Sequence, residues 1–384
     1  MGSREGTVRL AEHDGKTLLR RHGILVPEGR LLTGPPDPAE AGVLKAQLLE
    51  GGRGRRGLVR RAGPGEAPAA AAAIRALLGD PAAPLRLEAE VAMTRELYLA
   101  LRIDGTAQAI ELLCAAEGGV EVEQAGALLR CHLDPDAAGA AERAFAALRP
   151  GLGPDLAARV ARFALRLARI MRAEDLELLE INPLGLLADG RLMACDAKLV
   201  RDESAAFRHD SPALSAALEA AALTPLERRA RDRGFHLVEL PGGTVAMVTA
   251  GAGLGMLMLD LLADAGCPAA CFMDNAPDGP AETMPERLAL AFEIAARPEV
   301  RAVLFFTTIA SRGLRGRVEA LAAALRANPP AKPFFAGLAA GHAALRGYSL
   351  EQARAELAAA GVAALHDDPQ ALVRAVAAAV RGEG

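Results

Sequence analysis

The sequence predicts two domains: an α+β first domain, then a doubly wound α/β second domain built on a parallel sheet. Three observations lead there. Before residue 224 the apolar runs mix strand and helix periods without regular alternation. Residues 224–234 are charged and arginine-rich, and Pro241-Gly242-Gly243 follows them, which reads as a linker. Beyond that break, strand, loop and helix repeat in turn. The expected domains are 1–236 and 237–384.

Residues 10–25 have the apolar spacing of a short amphipathic helix, with Leu10, Leu18 and Leu19 apolar and Gly23 as its stop. An extended segment follows at 24–27. Residues 43–49 read as a strand running into the loop Gly51-Gly52-Arg53-Gly54-Arg55-Arg56-Gly57. Residues 69–78 read as a helix, with Pro68 suited to its first position. Strands are expected at 85–90, 96–103 and 109–115, and an amphipathic helix at 154–171. The apolar runs 176–181 and 192–195 flank the turn signal Ala188-Asp189-Gly190, so a β-hairpin is expected there. In the second domain, strands at 245–249, 269–273, 302–307, 333–336 and 363–365 alternate with helices. That is the pattern of a flavodoxin-type sheet.

Composition narrows the function. Half of the 384 residues are apolar, which is ample for packed cores, and the net charge is −4. Neither nucleic acid nor an anionic membrane is therefore the expected partner, and 3% aromatics give little for base stacking. The five cysteines form no CxxC and are odd in number, which argues against a zinc site or a disulfide framework. The N-terminal residues hold no apolar signal core, and a cytoplasmic location is expected. Residues 240–259 carry no charge, but Pro241 and the clustered glycines fit a buried strand, a turn and a helix start better than a membrane span.

The chemistry concentrates in Glu180-Ile181-Asn182-Pro183-Leu184 and Asp196-Ala197-Lys198. A hairpin sets Asn182 beside Asp196, two hard oxygen donors of the kind Mg²⁺ takes, although an ordinary solvated hairpin would carry the same residues. Lys45 sits in an apolar strand, where a lysine needs an anion such as a phosphate or must snorkel from an edge. The loop after it is a phosphate cover or a flexible basic loop, but it is not a Walker motif. Glu88 and Glu96 could hold adenine or ribose, or face water. Glu117, Glu121 and Glu123 alternate onto one face. The seven histidines have no metal spacing, and the GxGxG of Gly251, Gly253 and Gly255 is a weak signal.

In order and spacing these motifs resemble the β subunit of succinyl-CoA synthetase and its malate- and citrate-CoA ligase relatives. The resemblance runs through His13-Asp14-Gly15-Lys16, Lys45-Ala46-Gln47, Gly51-Gly52-Arg53-Gly54, Arg95-Glu96-Leu97-Tyr98, residues 117–123, Glu180 to Leu184, Asp196 to Lys198 and Gly251-Ala252-Gly253-Leu254. It implies an ATP-grasp domain followed by a CoA-ligase domain. It implies that Lys45, Gly52, Arg53, Gly54, Glu88 and Glu96 bind ATP or GTP and that Asn182 and Asp196 bind Mg²⁺. Glu180 would orient a phosphohistidine carried by a partner α subunit, which would also hold most of the CoA. The substrate would be a small carboxylic acid. The chain departs from the family pattern where the acid is expected: Ala250 replaces an asparagine, and Ile309, Ala310 and Ser311 fall in a glycine-rich loop. Those changes point to an acid other than succinate, or else to a regulatory nucleotide-binding subunit without ligase turnover.

Overall fold

Antiparallel strands build the first half of the chain and parallel strands the second. The computed structural model describes residues 7–118, 128–249, 251–275, 283–309, 314–340 and 347–382. Two compact units result, 1–220 and 221–384.

In the first unit, β1 (Thr7–Leu10) leads into α1 (Glu12–Arg21). A small sheet follows, made of β2 (Gly29–Leu32), β3 (Gly42–Ala46), β4 (Val59–Ala62) and β5 (Leu85–Glu88) in the order β2-β5-β3-β4. The helix α2 (Ala67–Leu78) covers one face, burying Ala67, Ala71 and Ile74 against Leu44, Ala46, Leu85 and Leu87. Strand alternation then sends Lys45, Arg86 and Glu88 to the opposite face. That single fact positions the site.

The larger sheet holds β6 (Arg95–Asp104), β7 (Ala109–Ala115), β8 (Leu129–Leu133), β9 (Leu176–Leu186), β10 (Leu192–Ala194) and β11 (Lys198–Asp202). Its order is β1-β11-β9-β6-β7-β8, with β10 paired to β9. Helices α3 (Ala140–Leu152) and α4 (Pro154–Ala173) pack in its core. The long apolar stripe of α4, including Leu156, Val160, Phe163, Leu167 and Ile170, is buried. Each such large side chain contributes roughly 1.5–3 kcal/mol. A 3₁₀ turn (Glu203–Arg208) and α5 (Ala213–Ala222) follow.

The expected hairpin is present, and its first strand is longer than the apolar run suggests. β9 continues through Asn182 and Pro183 to Leu186, because β6 pairs with it on the other side. The residues read as a linker are ordered secondary structure. Thr224 and Glu227 form a capping box that starts α6 (Pro225–Asp232), and β12 (Phe235–Glu239) follows. Leu226 and Ala230 of α6 join the core of the second unit, so the units divide at 220/221 and not at 236/237.

In the second unit, β13 (Val245–Thr249), β15 (Ala302–Ile309), β16 (Phe334–Ala340) and β17 (Val362–His366) form a parallel sheet in that order. On the other side of β13 lies β14 (Cys271–Asn275), joined through the parallel bridge Val245–Ala269 and the Ala270 N–H to Val245 C=O bond. Taken together the parallel strands run β14-β13-β15-β16-β17, the 2-1-3-4-5 order of a flavodoxin-like sheet. β12 adds an antiparallel edge to β14. Helices α7 (Ala252–Asp264), α8 (Met284–Ala295), α9 (Leu314–Ala327), α10 (Leu350–Ala359) and α11 (Pro369–Arg381) complete two apolar cores. Gly337 on β16 has Phe306 carbons 2.0 and 2.5 Å from where a Cβ would stand, so only glycine lets that ring pack on the strand. Among the described residues, no helix is long and apolar enough to cross a membrane. All five cysteines are free thiols.

Candidate functional site

Five segments of the first unit bring seven charged side chains together. The first two turns of α1 supply Glu12 and Lys16, an i,i+4 pair 2.6 Å apart. β3 supplies Lys45, and β5 supplies Arg86 and Glu88 on the same polar face. The glycine loop after β3 supplies Arg53. The end of the hairpin supplies Asp196 and the backbone carbonyl of Cys195.

The contacts interlock. Lys45 Nζ lies 2.8 Å from Glu12 Oε1 and 2.9 Å from Glu88 Oε2. Both Lys45 and Lys16 donate to the Cys195 carbonyl at 2.8 Å. Lys16 also reaches Glu88 at 2.6 Å, as does Arg86. Arg53 donates to Glu12 Oε2 at 2.5 Å and to both oxygens of Asp196 at 2.7 and 2.9 Å. Nη1 thus holds Glu12 while Nη2 alone meets both oxygens of Asp196, so one guanidinium bridges two carboxylates through charge-assisted hydrogen bonds. Asp196 is the outermost member, with its side chain 33% exposed, whereas Lys16 and Glu12 are almost fully buried.

The electrostatics follow from this packing. Burial alone would raise the Glu12 carboxyl, but the pull of Lys16, Lys45 and Arg53 holds it well below the ordinary carboxylate range. Glu88 is lowered in the same way, by Lys16 and Lys45 against its own burial. Burial works against Lys45 too, yet the charges of Glu12, Asp196 and Glu88 raise it. His13 is lowered, first by burial and then by the Arg86 cation, whose guanidinium lies 2.7 Å from its Nδ1.

A pH dependence of stability follows. His13 is depressed from about 6.5, so the unfolded chain binds its proton first, and stability falls as pH drops below that value. Glu12 and Glu88 are depressed from about 4.5, and their contribution is present above that value and lost as pH falls through the folded values. The urea midpoint of the first unit should therefore decline gently below pH ~6.5 and steeply below pH ~4.5. His13→Gln should remove only the gentle part. A flat midpoint across this range would contradict both assignments.

Comparison with known proteins places this geometry. The ATP-grasp domain family matches residues 9–186. The β subunit of ADP-forming succinate–CoA ligase from Rubrobacter xylanophilus is 35% identical over 316 residues, 77% of this chain and 80% of the relative. This chain belongs to the succinate–CoA ligase β-subunit family. A second relative, the ADP-forming sulfoacetate-CoA ligase subunit SauC of Bilophila wadsworthia, is 30% identical over 382 residues, 96% of this chain and 98% of its own. The structure of ATP citrate lyase from Methanothrix soehngenii superposes with a TM-score of 0.66 at 17% identity, covering 98% of this chain and all of that one, and so shares the fold.

Within this CoA-ligase family member, Lys45, Arg53, Glu88 and Asp196 are brought into one network. The register of β10 and β11 on β9 pairs Ala194 with Leu184 and Lys198 with Glu180, which sets Asn182 across from Asp196. Glu180 lies on β9, 3.4 Å from Lys198 Nζ. Gly52 and Gly54 are exposed on either side of the buried Arg53, and Gly52 has φ +78°. Glu96 is exposed on β6 opposite Gly185, outside the network. Among the described residues, no three His, Cys, Asp or Glu side chains group as a metal site. Glu12, Lys16 and Arg86 complete the network and were not singled out as site residues from the sequence. The available signal was the Glu12–Lys16 spacing at the start of α1. Ile309 ends β15, paired with Ala340. Ala250, Ala310 and Ser311 lie outside the described residues, as do Glu121 and Glu123.

Proposed function

We propose that this chain is the nucleotide-handling β subunit of an ADP-forming acid–CoA ligase that works with an α subunit carrying a phosphohistidine and most of the CoA site. The observation that carries the reading is the convergence of Lys45, Arg53 and Asp196 in a chain whose residues 9–186 match the ATP-grasp domain family. The network holds four cations, Lys16, Lys45, Arg53 and Arg86, against three carboxylates, Glu12, Glu88 and Asp196. A buried surplus of positive charge favours an added anion.

ATP phosphates would take Lys45 and Arg53, with backbone N–H groups around Gly52 and Gly54 approaching them closely. Glu88 acts through the lysines it holds, and Glu96 remains the candidate for the sugar or base. Asn182 on β9 and Asp196 in the bend between β10 and β11 are both oxygen donors, which suits Mg²⁺, and the Arg53 guanidinium meanwhile lies on Asp196. Bound Mg²⁺ would neutralise developing phosphate charge. Glu180 stands two residues from Asn182 on the same strand and is assigned to orient the histidine that receives the phosphoryl group. Positioning and charge neutralisation carry such a transfer.

The acid is proposed to be other than succinate. Support comes from Ala250 at an asparagine position of the family, from Ile309 and Ala310 at two glycine positions, and from β15 continuing as strand through Ile309. The nearly full-length match to a sulfoacetate-CoA ligase subunit makes sulfoacetate the first acid to try.

The test is co-expression with an adjacent α-like subunit and incubation with radiolabelled ATP and Mg²⁺. The α chain should take up label that ADP removes. Copurifying chains that bind ATP and take no label would mean a nucleotide-binding subunit without turnover. Glu180→Gln should slow labelling about a hundredfold while changing ATP affinity less than about threefold. Equal losses in both would move Glu180 into the nucleotide shell. In an acid screen, succinate turnover matching the best acid would overturn the substrate assignment.

A further inference from the structure

We propose that Glu12 is an internal stand-in for phosphate: it occupies Lys45 and Arg53 until a polyphosphate displaces it. The inference rests on the nucleotide reading above and adds a residue which that reading does not use. The two oxygens of Glu12 reach the two cations assigned to ATP, Lys45 at 2.8 Å and Arg53 at 2.5 Å. Glu12 also has a third partner, Lys16, 2.6 Å away and one helical turn along α1. Phosphate could therefore take Lys45 and Arg53 and leave Glu12 still paired, so displacement orphans no buried carboxylate.

The flexibility needed lies on the other side. Arg53 is buried, but it is carried by an exposed loop. Apart from the adjoining residues of the chain, nothing lies within 4 Å of where a Cβ on Gly51 or Gly52 would be, so the loop has room to shift. The lysines, by contrast, are fixed by strand β3 and helix α1. Displacing Glu12 from two cations at once takes an anion of higher charge than the carboxylate. ATP, with the charge of its whole polyphosphate, therefore competes with Glu12 better than a single inorganic phosphate does.

The sign of the effect separates this role from a structural one. A carboxylate that merely props up the site would weaken nucleotide binding when removed. A competitor for the same cations would strengthen it. Calorimetric titration of the full-length chain with ATP, and separately with inorganic phosphate, reads the difference. Glu12→Gln keeps the shape and removes the charge. It should bind ATP about tenfold more tightly than wild type and gain measurable phosphate affinity. ATP affinity that is unchanged or weaker in Glu12→Gln, with wild-type circular dichroism, overturns the proposal.

If that variant does not fold, Glu12→Asp keeps the charge on a side chain one methylene shorter. It should still bind ATP more tightly than wild type, because it cannot span Lys45 and Arg53 together. Equal or weaker binding again overturns the proposal. A wild-type chain with no ATP affinity would overturn the nucleotide reading itself, and this inference with it.

Discussion

Asp196→Ala should lower Mg²⁺-ATP-dependent phosphorylation of the partner subunit by at least about a hundredfold, the scale expected when a metal's ligand shell is damaged. Two effects combine. One of the two hard oxygens on the β9 hairpin disappears, and Arg53 loses the carboxylate that now holds its Nη2. Asp196→Asn separates the effects, since it keeps an oxygen donor and the side-chain shape while losing the charge. It should fall between wild type and Asp196→Ala in single-turnover labelling. Metal-free ATP should bind Asp196→Ala no worse than wild type, because a carboxylate competing for Arg53 is gone. A wild-type labelling rate in Asp196→Ala would remove this residue from the metal and phosphate shell.

The parts of this site legible in the sequence are those encoded locally. Asn182 and Asp196 could be paired because both belong to one hairpin, whose register follows from its turn. Lys45 stood out because a lysine interrupts an apolar strand, and the structure supplies the anions it calls for, Glu12 and Glu88. Which carboxylates would answer was not legible, since they arrive from 33 residues upstream on α1 and from a neighbouring strand on β5. Distance along the chain is the obstacle, and nothing in the local pattern of Glu12 distinguishes it from a solvated helix-start acid. The second unit was easier, because parallel strands are buried on both faces and read as plain apolar runs. Its edge strand β12 escaped for the opposite reason: His236, Val238 and Glu239 show weak alternation, and only pairing with β14 makes it a strand. α6 likewise looked like a charged linker until Leu226 and Ala230 found a core to enter.

Glu88→Ala should cost the first unit about 3–5 kcal/mol, the range for breaking a buried ion pair from one side. Glu88 is 2% exposed and answers three cations, Lys16, Lys45 and Arg86, so its removal leaves more than one buried charge short of a partner. The loss should be confined. The cores of the second unit contain no residue before Leu226, so its own urea transition should keep its midpoint while that of the first unit drops. Coupling supplies the sharper test. Lys16→Met alone should also destabilise, because it strips Glu12 and Glu88 of a shared donor. The double variant Glu88→Ala/Lys16→Met should lose clearly less than the sum, by roughly 1–3 kcal/mol, since each change removes the charge the other would have orphaned. Strict additivity, or a single-variant loss under about 1 kcal/mol, would mean that water screens these charges as it does at a surface. The excess of cations over carboxylates would then have no electrostatic force behind it, and a phosphate would gain little by entering the network.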